Sequence, residues 1–271
     1  MIYPTCPFCG RPAERPTRFE GIHFCGRHGA FEWFDRARMK DVDLTGIYQS
    51  YKYNVSLERD YRAMRPRYIR GLRARILKYF DGLQGVSFLD VGCANGEYLD
   101  CAVDLGLSPV AGVEVDEKAR AKAEAFGPVF MSLKDIHETY SVVQCKNVLS
   151  NIEDFQEFFS DLLCLTKPGG VLFLDVLNQF GLVARIKKWL GRPGILRPPF
   201  VINGFSKKAV AALAEKHGVR LSRLETTYSG SDILPYRKSL ALAVRGRITK
   251  AVAASTMIAA EIVPGPFGEP R

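Results

Sequence analysis

The sequence lacks any apolar run long enough to cross a membrane as a helix, since no stretch reaches the roughly 18–20 apolar residues that such a helix needs. The most apolar part of the tail, residues 251–263, is too short and contains Ser255, Thr256 and Glu261. The first thirty residues also lack the apolar core of a secretion signal. These absences favour a soluble, cytoplasmic protein with no membrane span.

The sequence also lacks an internal repeat and the compositional bias of a fibrous or disordered chain. Its 271 residues are 47% hydrophobic and 25% charged, which excludes a largely disordered, collagen-like or coiled-coil protein. This length accommodates one full-sized domain with small appendages. The 38 Lys and Arg residues against 29 Asp and Glu give a net charge of +9, which makes an anionic partner worth considering.

Disulfide-forming cysteines are not expected, because the seven cysteines are odd in number and unevenly placed. Three of them crowd the N-terminus, in Cys6-Pro-Phe-Cys9 and Cys25-Gly-Arg-His28. Two such knuckles, 15 residues apart, match a four-ligand tetrahedral zinc site. All four ligands would come from protein, so the metal would be structural and would supply folding energy that a segment this short cannot obtain from a core. The alternatives are a redox pair at Cys6 and Cys9, unrelated thiols, or His23 as the fourth ligand.

Changes in composition and residue pattern along the sequence predict four segments. Residues 1–35 form the zinc-binding module, 36–82 a helical N-terminal extension, 83–245 the main domain and 246–271 a C-terminal tail. Within the main domain, residues 177–205 read as an insertion after a strand end, where loops usually carry specificity, the alternative being a long surface connection.

Short apolar runs in the main domain predict buried strands of a parallel sheet. They occur at residues 86–91, 110–115, 140–145 and 171–176, and amphipathic segments separate them. Strand–helix alternation of this kind predicts an α/β, Rossmann-like doubly wound sheet, to which the small zinc-ribbon-like module is added.

A glycine turn follows the first predicted strand. Gly92 and Gly96 lie in this turn, directly after Asp90, and a helix is predicted to begin there. Glu114 ends the next strand, 24 residues after Asp90, where a carboxylate accepts hydrogen bonds from a ribose diol in nucleotide-binding folds. The pair predicts a nucleotide site; the alternative is a plain turn with a surface glutamate.

Four motifs together resemble class I S-adenosylmethionine-dependent methyltransferases. They are Asp90 to Gly96, Gly112 to Asp116, Asn147 to Ile152 and Lys167 to Leu172, in the order and at the spacings of that family. The resemblance covers about residues 84–228 and implies S-adenosylmethionine as the cofactor. Two positions depart from the family pattern: Ala94 replaces a glycine, and Ser150-Asn151 replaces Glu-His.

The resemblance also implies roles for individual residues. The turn would line the methionine side of the cofactor, Glu114 would bind the ribose and Val115 would pack on the adenine, whereas Asp116 is expected to be a helix cap. The loop at 132–135 would contact the adenine amino group, and backbone near Lys146 would close the pocket. The 177–205 insertion would help to cover the acceptor site. The candidate cofactor residues are Asp90, Gly92, Cys93, Ala94, Gly96, Glu114, Val115, Ser132, Leu133, Asp135 and Lys146.

The N-terminal segment resembles that of bacterial methyltransferases acting on small molecules and cell-surface sugars. Those proteins begin with two C-x-x-C-G knuckles and a tyrosine-rich helix; here His28 stands for the last cysteine, and Tyr48, Tyr51 and Tyr53 supply the tyrosines. A group of ribosomal RNA guanine methyltransferases has a similar zinc module, but its final spacing is one residue longer. The resemblance therefore favours the small-molecule group.

The expected function is methyl transfer to a small molecule or to a sugar or lipid intermediate of a surface glycan. An rRNA or tRNA base methyltransferase and a catalytically inactive cofactor-binding scaffold are the alternatives. No catalytic residue is identified, although Tyr48, Tyr51, Lys146 and Asn151 are candidates for a base. Residues 62–78 hold seven Lys or Arg and no acid, and they predict an amphipathic helix that either faces solvent or binds an anionic acceptor.

Overall fold

A computed structural model describes the greater part of the chain, which divides into two compact units. The first unit comprises Met1–Val42, Asn147–Phe158 and Asp175–Glu261; the second comprises Asp43–Lys146, Phe159–Leu174 and Ile262–Arg271. The described residues are Thr5, Cys6, Phe8, Gly10, Pro12, 15–16, 22–25, 31–34, 55–192, 201–228, 231–235 and 257–264.

The helices and strands of the described residues are as follows. The helices are α1 (Val55–Ile76), α2 (Glu97–Asp104), α3 (Glu117–Ala123), α4 (Phe155–Cys164), α5 (Leu182–Trp189) and α6 (Lys207–Lys216), with single 3-10 turns at Leu133–Asp135 and Leu149–Asn151. The strands are β1 (Arg15–Pro16), β2 (Ile22–Cys25), β3 (Phe31–Phe34), β4 (Phe88–Val91), β5 (Val110–Val113), β6 (Val129–Phe130), β7 (Tyr140–Lys146), β8 (Thr166–Leu177), β9 (Asn203–Gly204), β10 (Arg220–Tyr228), β11 (Ser231–Pro235) and β12 (Met257–Val263).

The second unit is built on parallel strands. β4 pairs in parallel with both β5 and β7, and β5 pairs in parallel with β6. The register places Asp90 between Gly112 on one side and Gln144 on the other. Every residue of β4 and β5 is buried, which explains why these strands are continuous apolar runs and not alternating ones. The predicted α/β class is confirmed.

The core of this unit includes the long helix α1. Leu72 and Ile76 of α1 are buried together with Phe88, Leu99 and Phe173. The helix was predicted to carry a basic outer face over residues 62–78, and this is wrong for two residues. Arg75 is buried and lies 4.1 Å from the centroid of the Phe173 ring, where its cation faces the ring's negative quadrupole.

Arg65 is the second exception on α1. It donates hydrogen bonds of 2.7 and 3.0 Å to both carboxylate oxygens of Asp100 on α2. The Tyr61 hydroxyl donates to the same carboxylate at 2.5 Å. The charges that remain exposed on this helix include Arg62, Arg70 and Arg73.

The first unit contains an antiparallel sheet in the order β1, β2, β3, β9. The short strands β1 to β3 were not predicted, because residues 1–35 show little periodicity. β9 lies in the 177–205 insertion and pairs with β3, with Trp33 opposite Asn203. The base of the insertion is closed by a bridge between Asn178 and Phe205.

The helix cap predicted at Asp116 agrees with the structure. The Asp116 side chain accepts a hydrogen bond from the Ala119 N–H and caps α3, and Ser206 caps α6 in the same way. The motif from Lys167 to Leu172 lies within β8, which begins at Thr166 and so starts earlier than the apolar run at 171–176. A Cβ at Gly170 would lie 2.6 Å from the Ser141 carbonyl oxygen, so a side chain does not fit there.

The predicted four-segment division of the chain stays a prediction, and residues 36–54 and most of the 246–271 tail lie outside the described residues. Within the described residues, no helix combines the length and the apolar character that crossing a membrane requires.

Candidate functional site

The turn between β4 and α2 has the backbone that its glycines predict. Gly92 and Gly96 have φ values of 77° and 87°, in the left-handed region that glycine tolerates. The N–H groups of Gly92 and Cys93 both donate to the Val113 carbonyl oxygen, at 2.8 and 3.0 Å. A Cβ at Gly96 would lie 2.9 Å from Ala123 Cα, so α3 could not keep its position beside a larger residue.

Glu114 braces this turn. One carboxylate oxygen accepts a 2.9 Å hydrogen bond from the Ala94 N–H, and the other accepts a 2.9 Å hydrogen bond from the Asp116 N–H. Ala94 has a φ of 49°, a conformation that costs a non-glycine residue about 1 kcal/mol. Glu114 therefore stabilises the one position at which the turn departs from the glycine pattern, and each carboxylate oxygen retains lone pairs for a ligand.

Three carboxylates lie near this turn. Asp90 is 3% exposed, and its burial raises the pKa of its carboxyl from 3.8 to about 7. The charges of Glu97 and Glu114 raise the pKa of Asp90 further, while a 3.1 Å hydrogen bond from Gln144 and the charge of Lys146 lower it. Burial also raises the pKa of Glu97. The site thus concentrates negative charge that a cation would relieve.

The donors and acceptors of the turn fit S-adenosylmethionine, which carries a sulfonium and an ammonium group beside one carboxylate. Asn95 Oδ1 is buried and has no hydrogen-bond partner among the described residues, so an acceptor is left for an N–H or O–H of a ligand. Gly96, the N-cap of α2, provides no side-chain cap, and the helix N-terminus favours an anionic group. Asp90 and Glu97 supply the negative charge that the two cationic groups require.

Lys146, at the end of β7, is held by tyrosines. Its Nζ donates to the Tyr98 hydroxyl at 2.9 Å and lies 4.8 Å from the centroid of the Tyr98 ring. The Tyr68 ring stacks on that of Tyr98, with 5.2 Å between centroids. The ammonium group is thereby fixed beside aromatic faces, and its charge acts on Asp90.

The remaining candidate cofactor residues differ in their surroundings. Val115 is 66% exposed, whereas Leu133 and Cys93 are buried. Burial raises the pKa of the Cys93 thiol, so this thiol stays protonated. Ser132 and Asp135 form a reciprocal capping box on the Leu133–Asp135 turn, with Asp135 accepting from the Ser132 N–H at 3.1 Å. Their side chains thus shape this loop.

A second polar group lies in the first unit, after β7. Asn147 has a φ of 61°, and its carbonyl accepts a 3.1 Å hydrogen bond from the Asn151 carboxamide. The Oδ1 atoms of both asparagines are buried and have no hydrogen-bond partner among the described residues. Ser150 is fully buried, and its carbonyl accepts from the Ile202 N–H at 3.0 Å. The backbone of Ser150 therefore anchors the insertion.

The metal-site prediction involves Cys6, Cys9, Cys25 and His28. Cys6 and Cys25 are both buried, at 1% exposure, while Cys9 and His28 lie outside the described residues, as do Tyr48 and Tyr51. The Gly10 N–H donates to the Cys6 carbonyl oxygen at 2.8 Å. Within the described part of the chain, no group of three His, Cys, Asp or Glu side chains is arranged to hold a metal.

Some residues of the site were not found from the sequence. Gln144 is a single polar residue in an apolar run, and Asn95 is an ordinary turn residue. The lone glutamine was a usable signal, but its contact with Asp90 depends on the register between β4 and β7. Glu97 and Tyr98 follow the turn directly and could have been included as the first residues of a helix that begins at a ligand site.

A parallel sheet, a glycine turn at the end of a strand and a carboxylate at the end of its neighbour define a nucleotide-binding α/β protein. The chain matches the family model described as a methyltransferase domain over residues 61–223. The chain belongs to this family, and it is a methyltransferase of the S-adenosylmethionine-dependent class.

Relatives and solved structures agree with this assignment. The ubiquinone biosynthesis O-methyltransferase of Brucella ovis is 26% identical over 172 residues, which is 55% of this chain and 69% of that protein. The enzyme of the same description from Vibrio parahaemolyticus is 30% identical over 115 residues, covering 38% of this chain and 49% of its own length.

Two solved structures share the fold. Magnesium protoporphyrin IX methyltransferase from Synechocystis PCC 6803, with bound S-adenosylhomocysteine, aligns with a TM-score of 0.54 at 18% identity, covering 85% of this chain and all of that one. An S-adenosylmethionine-dependent methyltransferase from Mesorhizobium loti aligns with a TM-score of 0.52 at 15% identity, covering 70% of this chain and 95% of that one.

Proposed function

We propose that this protein transfers a methyl group from S-adenosylmethionine to a small-molecule acceptor. The observation that carries the proposal is the strand-end turn of Gly92 and Gly96, braced by Glu114 and surrounded by buried carboxylates. By their descriptions, the named relatives are O-methyltransferases of ubiquinone biosynthesis and a methyltransferase of magnesium protoporphyrin IX. They support a small organic acceptor over RNA. A sugar or lipid intermediate of a surface glycan belongs to the same proposal, with support only from the N-terminal resemblance.

The cofactor supplies an activated methyl group, which an acceptor atom displaces in line from the sulfonium sulfur. The protein's task is then to orient and desolvate. The turn and the N-terminus of α2 bind the methionine end, and Glu114 accepts hydrogen bonds from the ribose. Ionised Asp90 and Glu97 hold the cationic groups, and Lys146 limits the repulsion between those carboxylates.

The asparagines after β7 are proposed to bind the acceptor. Asn147 follows Lys146 directly in the chain, and the buried Oδ1 atoms of Asn147 and Asn151 are suited to accept hydrogen bonds from hydroxyl or amine groups. A carboxamide does not take up a proton at neutral pH. The acceptor proton therefore leaves to water or to a base supplied by the acceptor, and methyl transfer itself needs only proximity.

A by-product assay tests this function. S-adenosylhomocysteine would be measured with catechols and hydroxylated quinones, with nucleotide sugars, and with total RNA. We expect turnover with the small phenolic class, and at least a tenfold loss of turnover in Asn151→Ala with little change in cofactor affinity. Turnover only with RNA would replace the proposal with an RNA methyltransferase. Tight cofactor binding without by-product from any acceptor would support the scaffold alternative.

We also propose that Cys6, Cys9, Cys25 and His28 hold one structural zinc ion. The support is the spacing of the two knuckles and the burial of Cys6 and Cys25. Metal analysis should find about one zinc per chain. Cys25→Ser should lose the metal, while Cys164→Ser, at an exposed cysteine, should keep it. Purified protein that contains no zinc after growth in zinc-supplemented medium would contradict the proposal.

A further inference from the structure

The end of α5 exposes two large apolar side chains next to each other. Trp189 is 84% exposed and Leu190 is 59% exposed. Trp189 is the most exposed large hydrophobic residue of the described part of the chain. A tryptophan in this position gains nothing from the protein's own core, and adjacent exposed apolar side chains are typical of a binding surface.

The backbone holds these two residues in place. The Arg192 N–H donates to the Lys187 carbonyl at 2.8 Å, and Gly191 has a φ of 80°. This is the hydrogen bond and the left-handed glycine of a Schellman motif, which ends a helix at a defined residue. The residues that usually make an apolar contact across this motif are here Lys187 and Arg192. Two cations therefore flank Trp189 and Leu190.

The helix continues the same charge pattern. Arg185 is exposed and lies four residues before Trp189, so the two share one face of α5. Ala184, on another face, is buried at 1%. Residues 176–214 contain no Asp or Glu, and their seven basic residues are Arg185, Lys187, Lys188, Arg192, Arg197, Lys207 and Lys208.

We infer that the end of α5 docks on an anionic phospholipid surface. Trp189 and Leu190 enter the boundary between headgroups and acyl chains, and Arg185, Lys187 and Arg192 lie against lipid phosphates. An acid-free basic segment complements an anionic surface. Leu190 favours lipid over nucleic acid as the partner, because its side chain neither stacks on a base nor forms hydrogen bonds. At the boundary with the acyl chains, the same side chain would be buried away from water. The docking does not depend on which acceptor is methylated.

Vesicle sedimentation with the full chain tests the docking. The probes are phosphatidylcholine vesicles with and without about 30% phosphatidylglycerol. We expect binding to the anionic vesicles only, weakening as salt rises. The double substitution Trp189→Ala/Leu190→Ala should lower the partition coefficient about tenfold or more. Arg185→Gln/Arg192→Gln should lower it about 30-fold, as expected for removing two surface cations.

Matched controls separate this patch from the overall charge of +9. Arg70→Gln/Arg73→Gln removes two exposed cations from α1, and Val103→Ala truncates an exposed apolar residue on α2. Neither should lower vesicle binding more than about twofold. Circular dichroism would verify that each variant is folded.

Fluorescence gives a second measurement. The chain has two tryptophans, so Trp33→Phe leaves Trp189 as the only reporter, and its emission should shift to the blue on anionic vesicles. The inference would be overturned if the Trp189/Leu190 variant bound vesicles as well as the wild type does, or if the wild type bound neutral and anionic vesicles equally. It would also be overturned if the α1 control lost as much vesicle binding as the Arg185/Arg192 variant. An RNA duplex that binds through Trp189 while vesicles do not bind would likewise overturn it.

Discussion

Asp90→Asn is expected to stabilise the cofactor-free protein while weakening cofactor binding. Asp90 is 3% exposed, and its carboxyl pKa is raised from 3.8 to about 7. Between these pH values the native chain keeps a proton that the unfolded chain has released, so the stability of the wild type falls as pH rises. A shift of about three pH units corresponds to roughly 4 kcal/mol at most. Asparagine avoids this cost and can still accept the hydrogen bond from Gln144.

Urea unfolding at pH 5 and pH 8 measures this effect. The free energy of unfolding of the variant, relative to that of the wild type, should rise by roughly 2–3 kcal/mol from pH 5 to pH 8. This difference should level off above about pH 7. Asp81→Asn makes the same chemical change at an exposed position and should show no such gain. Calorimetry with S-adenosylmethionine should find weaker binding to Asp90→Asn, because one negative charge is lost near the cationic groups. A stability difference that does not change with pH would refute the reasoning.

Three further predictions concern carboxylates with named partners. Glu114→Ala should weaken S-adenosylhomocysteine binding by roughly 1–3 kcal/mol in calorimetry, since it removes a charged acceptor and the brace on the turn; unchanged affinity would count against the assigned site. Asp100→Asn should lower the free energy of unfolding by about 1 kcal/mol at pH 7. Because Arg65 lowers the pKa of Asp100, that loss should disappear as the pH falls below about 4, and a loss that persists in acid would exclude the ion pair as its cause. Glu261→Gln should cost about 1–2 kcal/mol in urea unfolding, since this carboxylate is 2% exposed and accepts from Arg223 at 3.3 Å. Glu225→Gln, whose side chain is 37% exposed, should cost less, and the reverse order would contradict this ranking.

The parts of the fold that depend on neighbouring residues were predictable from the sequence. The turn after β4 and the cap at Asp116 each depend on a few consecutive side chains. The strands of the second unit were recognised because burial on both faces leaves apolar runs. The role of Ser150 could not be predicted in this way, because its backbone carbonyl accepts a hydrogen bond from Ile202, a residue about fifty positions away in the sequence.

Pairings between distant segments could not be predicted. Trp33 lies opposite Asn203 across 170 positions of sequence, and no local pattern indicates that register. The contact of Gln144 with Asp90 could not be predicted for the same reason, since it depends on the exact register between β4 and β7. The loss of Arg65 and Arg75 from the expected basic face follows from partners on other elements, Asp100 and Phe173.

Two features of the turn lower the stability of the cofactor-free protein, which indicates that the turn binds a ligand. Ala94 adopts a φ of 49° where glycine would be easier, and Asp90 is buried where asparagine would be more stable. A protein selected for stability alone would have neither feature. The burial of Asp90 is explained if a positively charged ligand joins the site, because the ligand lowers the pKa of Asp90 and recovers part of the desolvation energy. On this argument, binding of the cofactor should release protons below about pH 7, in the range where Asp90 is still protonated in the cofactor-free chain.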